Sequence, residues 1–207
     1  MPSSESGQNS PVAPDAFFWY NILSYYGQVL PVQVSGVKNM DNIILIGMPG
    51  SGKSSVGVVL AKALGKGFVD VDLMIQAREG VLLQQILNDR GVEAFLDVES
   101  EVVRTVFCAN SVIAPGGSCV CRSDAMEHLC KLGTVVYLRL SLGEVESRIH
   151  NLETRGIALQ PGQSIADVYN YRTPLYERYA HVTVDADGQS LAETVESVKM
   201  ALAAYPR

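Results

Sequence analysis

The run Gly47-Met-Pro-Gly-Ser-Gly52-Lys53-Ser54 concentrates more chemistry than any other part of the chain. It satisfies G-x-x-x-x-G-K-[ST] in full, a spacing whose glycines let successive backbone N–H groups turn inward around phosphate oxygens. Gly50, Ser51, Gly52, Lys53, Ser54 and Ser55 would form the cradle. Lys53 reaches toward the β- and γ-phosphates, and the Ser54 hydroxyl suits Mg²⁺. The flanks fit: Ile43–Gly47 reads as a short buried strand, and Val56, Val59, Leu60, Ala63 and Leu64 are spaced along one helical face. The start of that helix adds its own partial positive charge. A chance glycine turn would not come with both flanks, so a nucleoside triphosphate is the expected ligand.

Four further segments bear on what receives the phosphate. Phe68-Val-Asp70-Val-Asp72 reads as a second strand ending in two carboxylates on one face. Ala114-Pro-Gly116-Gly117-Ser118 is a second glycine turn after a strand. Arg148 and Arg155 bracket a polar, glycine-containing stretch, Asn151–Gln163, with the composition of a lid. Tyr171-Arg172-Thr-Pro174-Leu-Tyr176 lies toward the end of a helix. Each has a plain alternative, as strand-end carboxylates, a turn or a surface ion pair. Together, in order around a phosphate loop, they point to a site. No Asn-Lys-x-Asp signature is present, which argues against a guanine-nucleotide switch, and the small size argues against a motor. A small-molecule kinase fits best.

The elements that must position these residues alternate between strand and helix. A helix is expected within 92–107, striped by Phe95, Val98, Val102 and Val106, then strands at Ser111–Ala114 and Thr134–Leu140. Glu144–Asn151 and Ser164–Ala180 read as helices and His181–Asp185 as a last strand. Leu191, Val195, Val198 and Leu202 stripe a final helix. Strands this apolar, separated by helices, indicate an α/β fold with a parallel sheet covered on both faces.

In this order and at these spacings, the chain from Asp41 onward resembles shikimate kinase. The resemblance implies a P-loop NTPase fold of the nucleoside-monophosphate-kinase type, with a five-stranded parallel sheet, a lid over about 151–163 and a small substrate subdomain. It implies transfer of the ATP γ-phosphate to the 3-hydroxyl of shikimate, in the chorismate pathway of aromatic amino acid biosynthesis. By resemblance, Ser54 would ligate Mg²⁺, with Asp70 behind a coordinated water. Asp72 would hold and orient the attacking hydroxyl, and Gly116 and Gly117 would face the substrate. Arg172 would grip its carboxylate, and Arg148 and Arg155 would close over ATP, with Lys53, Asp72 and Arg155 as the catalytic set. Where the family has an arginine after a phenylalanine, this chain has Leu96 after Phe95. One arm of the carboxylate clamp is therefore missing, at a cost of about 1.5–3 kcal/mol. Ser118 replaces a third glycine, and Gly156 follows the lid arginine in place of proline. Leu96 has a simpler reading too, as a core residue alongside Val92 and Val103.

Composition limits the alternatives. The 207 residues carry 16 Lys+Arg against 22 Asp+Glu, for a net charge of −6, so no broad basic surface exists for nucleic acid. Mean hydropathy is +0.14, as for an ordinary folded domain. Cys108, Cys119, Cys121 and Cys130 cluster in one window, which suits reduced thiols in a cytoplasm better than a disulfide scaffold or a zinc module. Residues 1–39 differ in texture: a Ser/Pro/Gly-rich start, then six aromatics within Phe17–Tyr26. They read as an extension to a functional unit at 40–207, either disordered, translated from an unused start codon, or a docking segment for a partner. The uncharged stretch 16–37 is too polar for a membrane span, and no basic region precedes it as in a signal peptide. A cytoplasmic monomer acting on a small molecule is expected. The alternatives are a kinase of the same fold for a gluconate-like sugar acid, and a non-catalytic ATP-binding regulator.

Overall fold

The computed structural model describes residues 41–149, 156–160 and 162–206. The prefix 1–39 and the lid arginine Arg155 lie outside these residues. Five parallel strands form one sheet: β1 (Asn42–Ile46), β2 (Gly67–Asp70), β3 (Ser111–Ala114), β4 (Gly133–Arg139) and β5 (Val182–Asp185). Their order across the sheet is β2-β3-β1-β4-β5. Seven α-helices accompany them among the described residues: α1 (Lys53–Leu64), α2 (Val71–Glu79), α3 (Leu83–Thr105), α4 (Ser123–Leu132), α5 (Leu142–Arg148), α6 (Ile165–Tyr179) and α7 (Leu191–Ala204).

Every residue of β1 is buried, because the strand is central and covered on both faces. Its side chains alternate between two cores. Ile43 and Leu45 pack with Val56 and Leu60 of α1 and Val195 and Val198 of α7. Ile44 and Ile46 face the larger core built from α2, α3, α4 and α6, which includes Phe95, Met126 and Tyr176. Val136 and Val135 of β4 divide in the same way. From β1 the chain runs to β2 and β3 on one side of it, then crosses to β4 and β5 on the other. A crevice opens there beyond the C-terminal strand ends, where open α/β sheets bind ligands.

Several sequence expectations need correction. The buried face of α1 is Val56, Gly57, Leu60 and Ala61, while Val59, Ala63 and Leu64 are exposed. The stripe is turned because Gly57 takes the ring of Phe68: a Cβ there would meet Phe68 Cε2 at 2.4 Å. The second strand stops at Asp70 rather than Asp72, since Asp70 caps α2 through its side chain. The helix expected within 92–107 is the second half of α3. Gly91, at φ 79° and ψ 175°, breaks the helix before it, and the chain leaves it at Thr105. α2, α4 and the first half of α3 had no recognised sequence signal. Leu96 is 6% exposed and belongs to the larger core, as its simpler reading had it. No helix among the described residues is long and apolar enough to cross a membrane.

Candidate active site

The phosphate loop begins where β1 ends. A Cβ on Gly47 would lie 2.7 Å from the Leu138 carbonyl oxygen of the neighbouring strand, so only glycine fits. Gly52 occupies the N-cap of α1 in the left-handed region, with no side chain capping the helix and no acidic residue in its first turn. Of the other helices, α2, α5, α6 and α7 are each capped by an Asp or Ser side chain, while α3 and α4 have no side-chain cap. The first-turn N–H groups of α1 thus remain available to an anion, reinforced by the helix dipole. Lys53 folds back over the loop, donating from Nζ to the Gly47 and Met48 carbonyls at 3.0 and 3.1 Å. Burial lowers the pKa of its ammonium, and Asp72 opposes the shift.

A cavity of about 560 Å³ opens above this loop. It is lined by Gly50, Gly52, Lys53, Ser54 and Ser55 on the nucleotide side, and by Asp72, Gly116, Gly117 and Arg172 on the far side. Arg148 reaches its rim, paired to Glu144 at 2.7 Å through an i,i+4 contact on α5. Ser51 does not line it: its side chain is buried, and its hydroxyl has no hydrogen-bond partner among the described residues.

The two carboxylates after β2 do not share a strand face. Asp70 Oδ1 accepts from the backbone N–H groups of Asp72 and Leu73 at 3.0 and 3.4 Å, capping α2. Asp72 sits in the first turn of α2, at the cavity wall. Burial pushes its carboxyl up to about 6, with Lys53 pulling it down and Asp70 adding to the rise. A carboxylate with an affinity for protons this near neutrality suits a group that orients a hydroxyl and takes its proton.

Arg172 on α6 is 4% exposed and donates to the Ala158 carbonyl at 2.8 Å. None of the ion pairs among the described residues includes it. A buried guanidinium with donors to spare, facing a cavity, is a place for an anion. Tyr176, one turn on, donates from its hydroxyl to the Gly117 carbonyl and so ties α6 to the glycine turn. Sequence reasoning missed Glu99 as a site residue. Its signal was a position seven residues after Val92 and four after Phe95 on the same helix, which turns it with Phe95 toward the cavity.

Among the described residues no group of three or more His, Cys, Asp or Glu side chains could hold a metal, and the four cysteines are free thiols. His128 bonds the Val106 carbonyl instead, at 2.8 Å. A cation on the phosphate loop would therefore draw its ligands chiefly from phosphate and water, with the Ser54 hydroxyl added. That donor set, all oxygen and with few protein ligands, suits Mg²⁺.

The sheet order, the uncapped loop and an acceptor chamber with two acids, Asp72 and Glu99, and one guanidinium define a P-loop kinase of small molecules. The family model for shikimate kinase matches residues 49–203. The shikimate kinase of Nitrosomonas europaea is 38% identical over 161 residues, covering 76% of each chain. That of Thermodesulfovibrio yellowstonii is 35% identical over 162 residues, covering 77% of this chain and 93% of its own. The solved structure of shikimate kinase from Acinetobacter baumannii in complex with shikimate aligns with a TM-score of 0.71 at 27% identity, covering 79% of this chain and 93% of that one. This chain belongs to the shikimate kinase family.

Proposed function

We propose that this protein transfers the γ-phosphate of ATP to a hydroxyl of shikimate. One observation carries the choice of acceptor: the buried guanidinium of Arg172, outside every ion pair among the described residues, faces the same cavity as the phosphate loop. It offers a carboxylate site at the end of the chamber away from the nucleotide.

The backbone of Gly50, Ser51 and Gly52 and the start of α1 hold the phosphates, while Lys53 swings from its own loop carbonyls onto them. The Ser54 hydroxyl would hold Mg²⁺, with Asp70 behind a coordinated water, and the ion would supply charge neutralisation to the phosphates. Asp72 holds the attacking hydroxyl of the acceptor and receives its proton. Gly116 and Gly117 allow the acceptor close to the backbone, and Arg172 fixes its carboxylate. Phosphoryl transfer needs mainly such alignment, with positive charge where charge spreads over the transferring group. Arg148, and Arg155 from the lid, belong to that charge in this reading. Residues 40–207 are the catalytic unit, and the protein works as a monomer in the cytoplasm.

A coupled ADP-release assay across shikimate, quinate and gluconate tests the acceptor. ADP release that depends on shikimate is expected. Arg172→Lys should raise the shikimate KM ten- to a hundredfold while leaving the ATP KM within about twofold. No shikimate-dependent turnover at millimolar concentration, or turnover with gluconate instead, would overturn the reading.

A further inference from the structure

One acid in the acceptor chamber takes no part in the transfer described above. Glu99 on α3 is 1% exposed, yet it lines the cavity. Neither carboxylate oxygen makes a well-formed hydrogen bond among the described residues, the Ser118 side chain being the hydrogen-bonding group beside it. A Cβ placed on Gly116 would meet Glu99 Oε1 at 2.1 Å and Asp72 Oδ1 at 2.9 Å, so both carboxylates crowd the same face of the glycine turn.

The groups that face Glu99 come from several elements. Asp72 stands on α2, Lys53 on α1, Arg172 on α6, and Ser118, Cys119 and Cys121 on the turn after β3. Neither cation is committed to Glu99: Lys53 Nζ donates to loop carbonyls, and Arg172 to Ala158. One helical turn earlier Leu96 is apolar and buried, so it supplies no charge either. Two neighbouring carboxylates in a dry wall do not both ionise without cost. Burial pushes Glu99 up to about 7, helped by Asp72 and only partly offset by Ser118, Arg172 and Lys53.

We propose that Glu99 is a specificity-determining residue that meets the acceptor as an uncharged carboxylic acid, donating a hydrogen bond to the carboxylate held by Arg172. A carboxyl group kept neutral by an apolar wall can serve as such a donor. It fills the place left by the arginine that Leu96 replaces, with a neutral donor where the family resemblance leads one to expect a charge. The cost is pH dependence: once ionised, Glu99 repels the anion it had been holding. The inference deepens the proposed function and rests on an anionic acceptor such as shikimate.

The test follows the KM of shikimate and of ATP from pH 6 to 8.5 in the full chain and in Glu99→Gln and Glu99→Ala. In the unmodified protein the shikimate KM should be flat below about pH 7 and climb by up to tenfold per pH unit above it, with the ATP KM not following. Glu99→Gln, which cannot ionise but still donates, should give a flat profile and bind shikimate several-fold more tightly than the unmodified protein at pH 8.5. Glu99→Ala, with neither the donor nor the charge, should weaken shikimate about tenfold or more below pH 7 and give a flat profile, so that the difference from the unmodified protein disappears by pH 8.5. Two results would overturn the inference: a shikimate KM that stays flat to pH 8.5 in the unmodified protein, or Glu99→Gln behaving like Glu99→Ala at pH 6.5. If the unmodified protein does not use shikimate at all, the proposed function fails separately. Difference infrared spectra of the ligand-free protein then decide the remaining point. A protonated-carboxyl band at pH 6 that Glu99→Gln removes supports a neutral Glu99, and its absence refutes it.

Discussion

Asp70 and Asp72 show how two identical side chains two positions apart come to do different work. Asp70 spends an oxygen on the N–H groups of Asp72 and Leu73, and in doing so starts α2 and aims the next acid into the cavity. Asp72 is free of that duty and faces the chamber, its proton affinity raised by burial. Asp70→Ala should therefore cost about 1 kcal/mol of stability, the usual value of a lost N-cap, and lower turnover by letting Asp72 drift. Asp72→Asn should leave the melting temperature nearly unchanged but lower kcat by about a hundredfold or more. Thermal denaturation and steady-state kinetics on the two variants separate the roles. Equal stability losses in both would contradict the division.

At the scale of elements, the pattern of apolar residues located all five strands and the later helices but misjudged how some of them sit. β3 matched residue for residue, because four buried residues between turns leave little choice. The face of α1 did not, because Gly57 reads as a neutral gap in a stripe, whereas in the fold it is the groove for Phe68. Gly57→Ala should push that ring away from its seat and destabilise the protein by about 1–3 kcal/mol, the usual cost of overpacking. Chemical denaturation would measure this, and a neutral result would mean that Phe68 has another seat. The first two residues of α2 read as strand because Val71 and Asp72 continue the alternation of β2. Only the cap made by Asp70 turns the chain into a helix there, and a cap competes with a strand in a way that periodicity does not register.

Across the whole molecule, long-range bonds hold the ends of the strands at the base of the sheet. Asn42, buried at the start of β1, donates to the Cys108 and Leu132 carbonyls at 2.7 and 3.1 Å and accepts from Ser111 N–H at 2.9 Å. One amide thus joins β1, β3 and the end of α4. Asn42→Ala would strand these buried backbone groups, costing about 2–4 kcal/mol and several degrees of melting temperature, with the site at the opposite strand ends unaffected. A melting curve with the ATP KM measured alongside tests both parts. What the sequence alone determined is the local chemistry: the phosphate loop, whose function follows from consecutive glycines and a lysine in one turn, the α/β class, and the acidic and glycine segments around the site. Tertiary structure decided which of those side chains share a chamber. Glu99 and Arg172 lie on helices far apart in the chain, and neither a buried acid outside an ion pair nor a buried guanidinium outside one is a property of any short stretch of residues. Burial and pairing arise only when separate elements close around the same space, and that closure sets Glu99 beside Asp72 and Arg172 while Leu96 packs into the core.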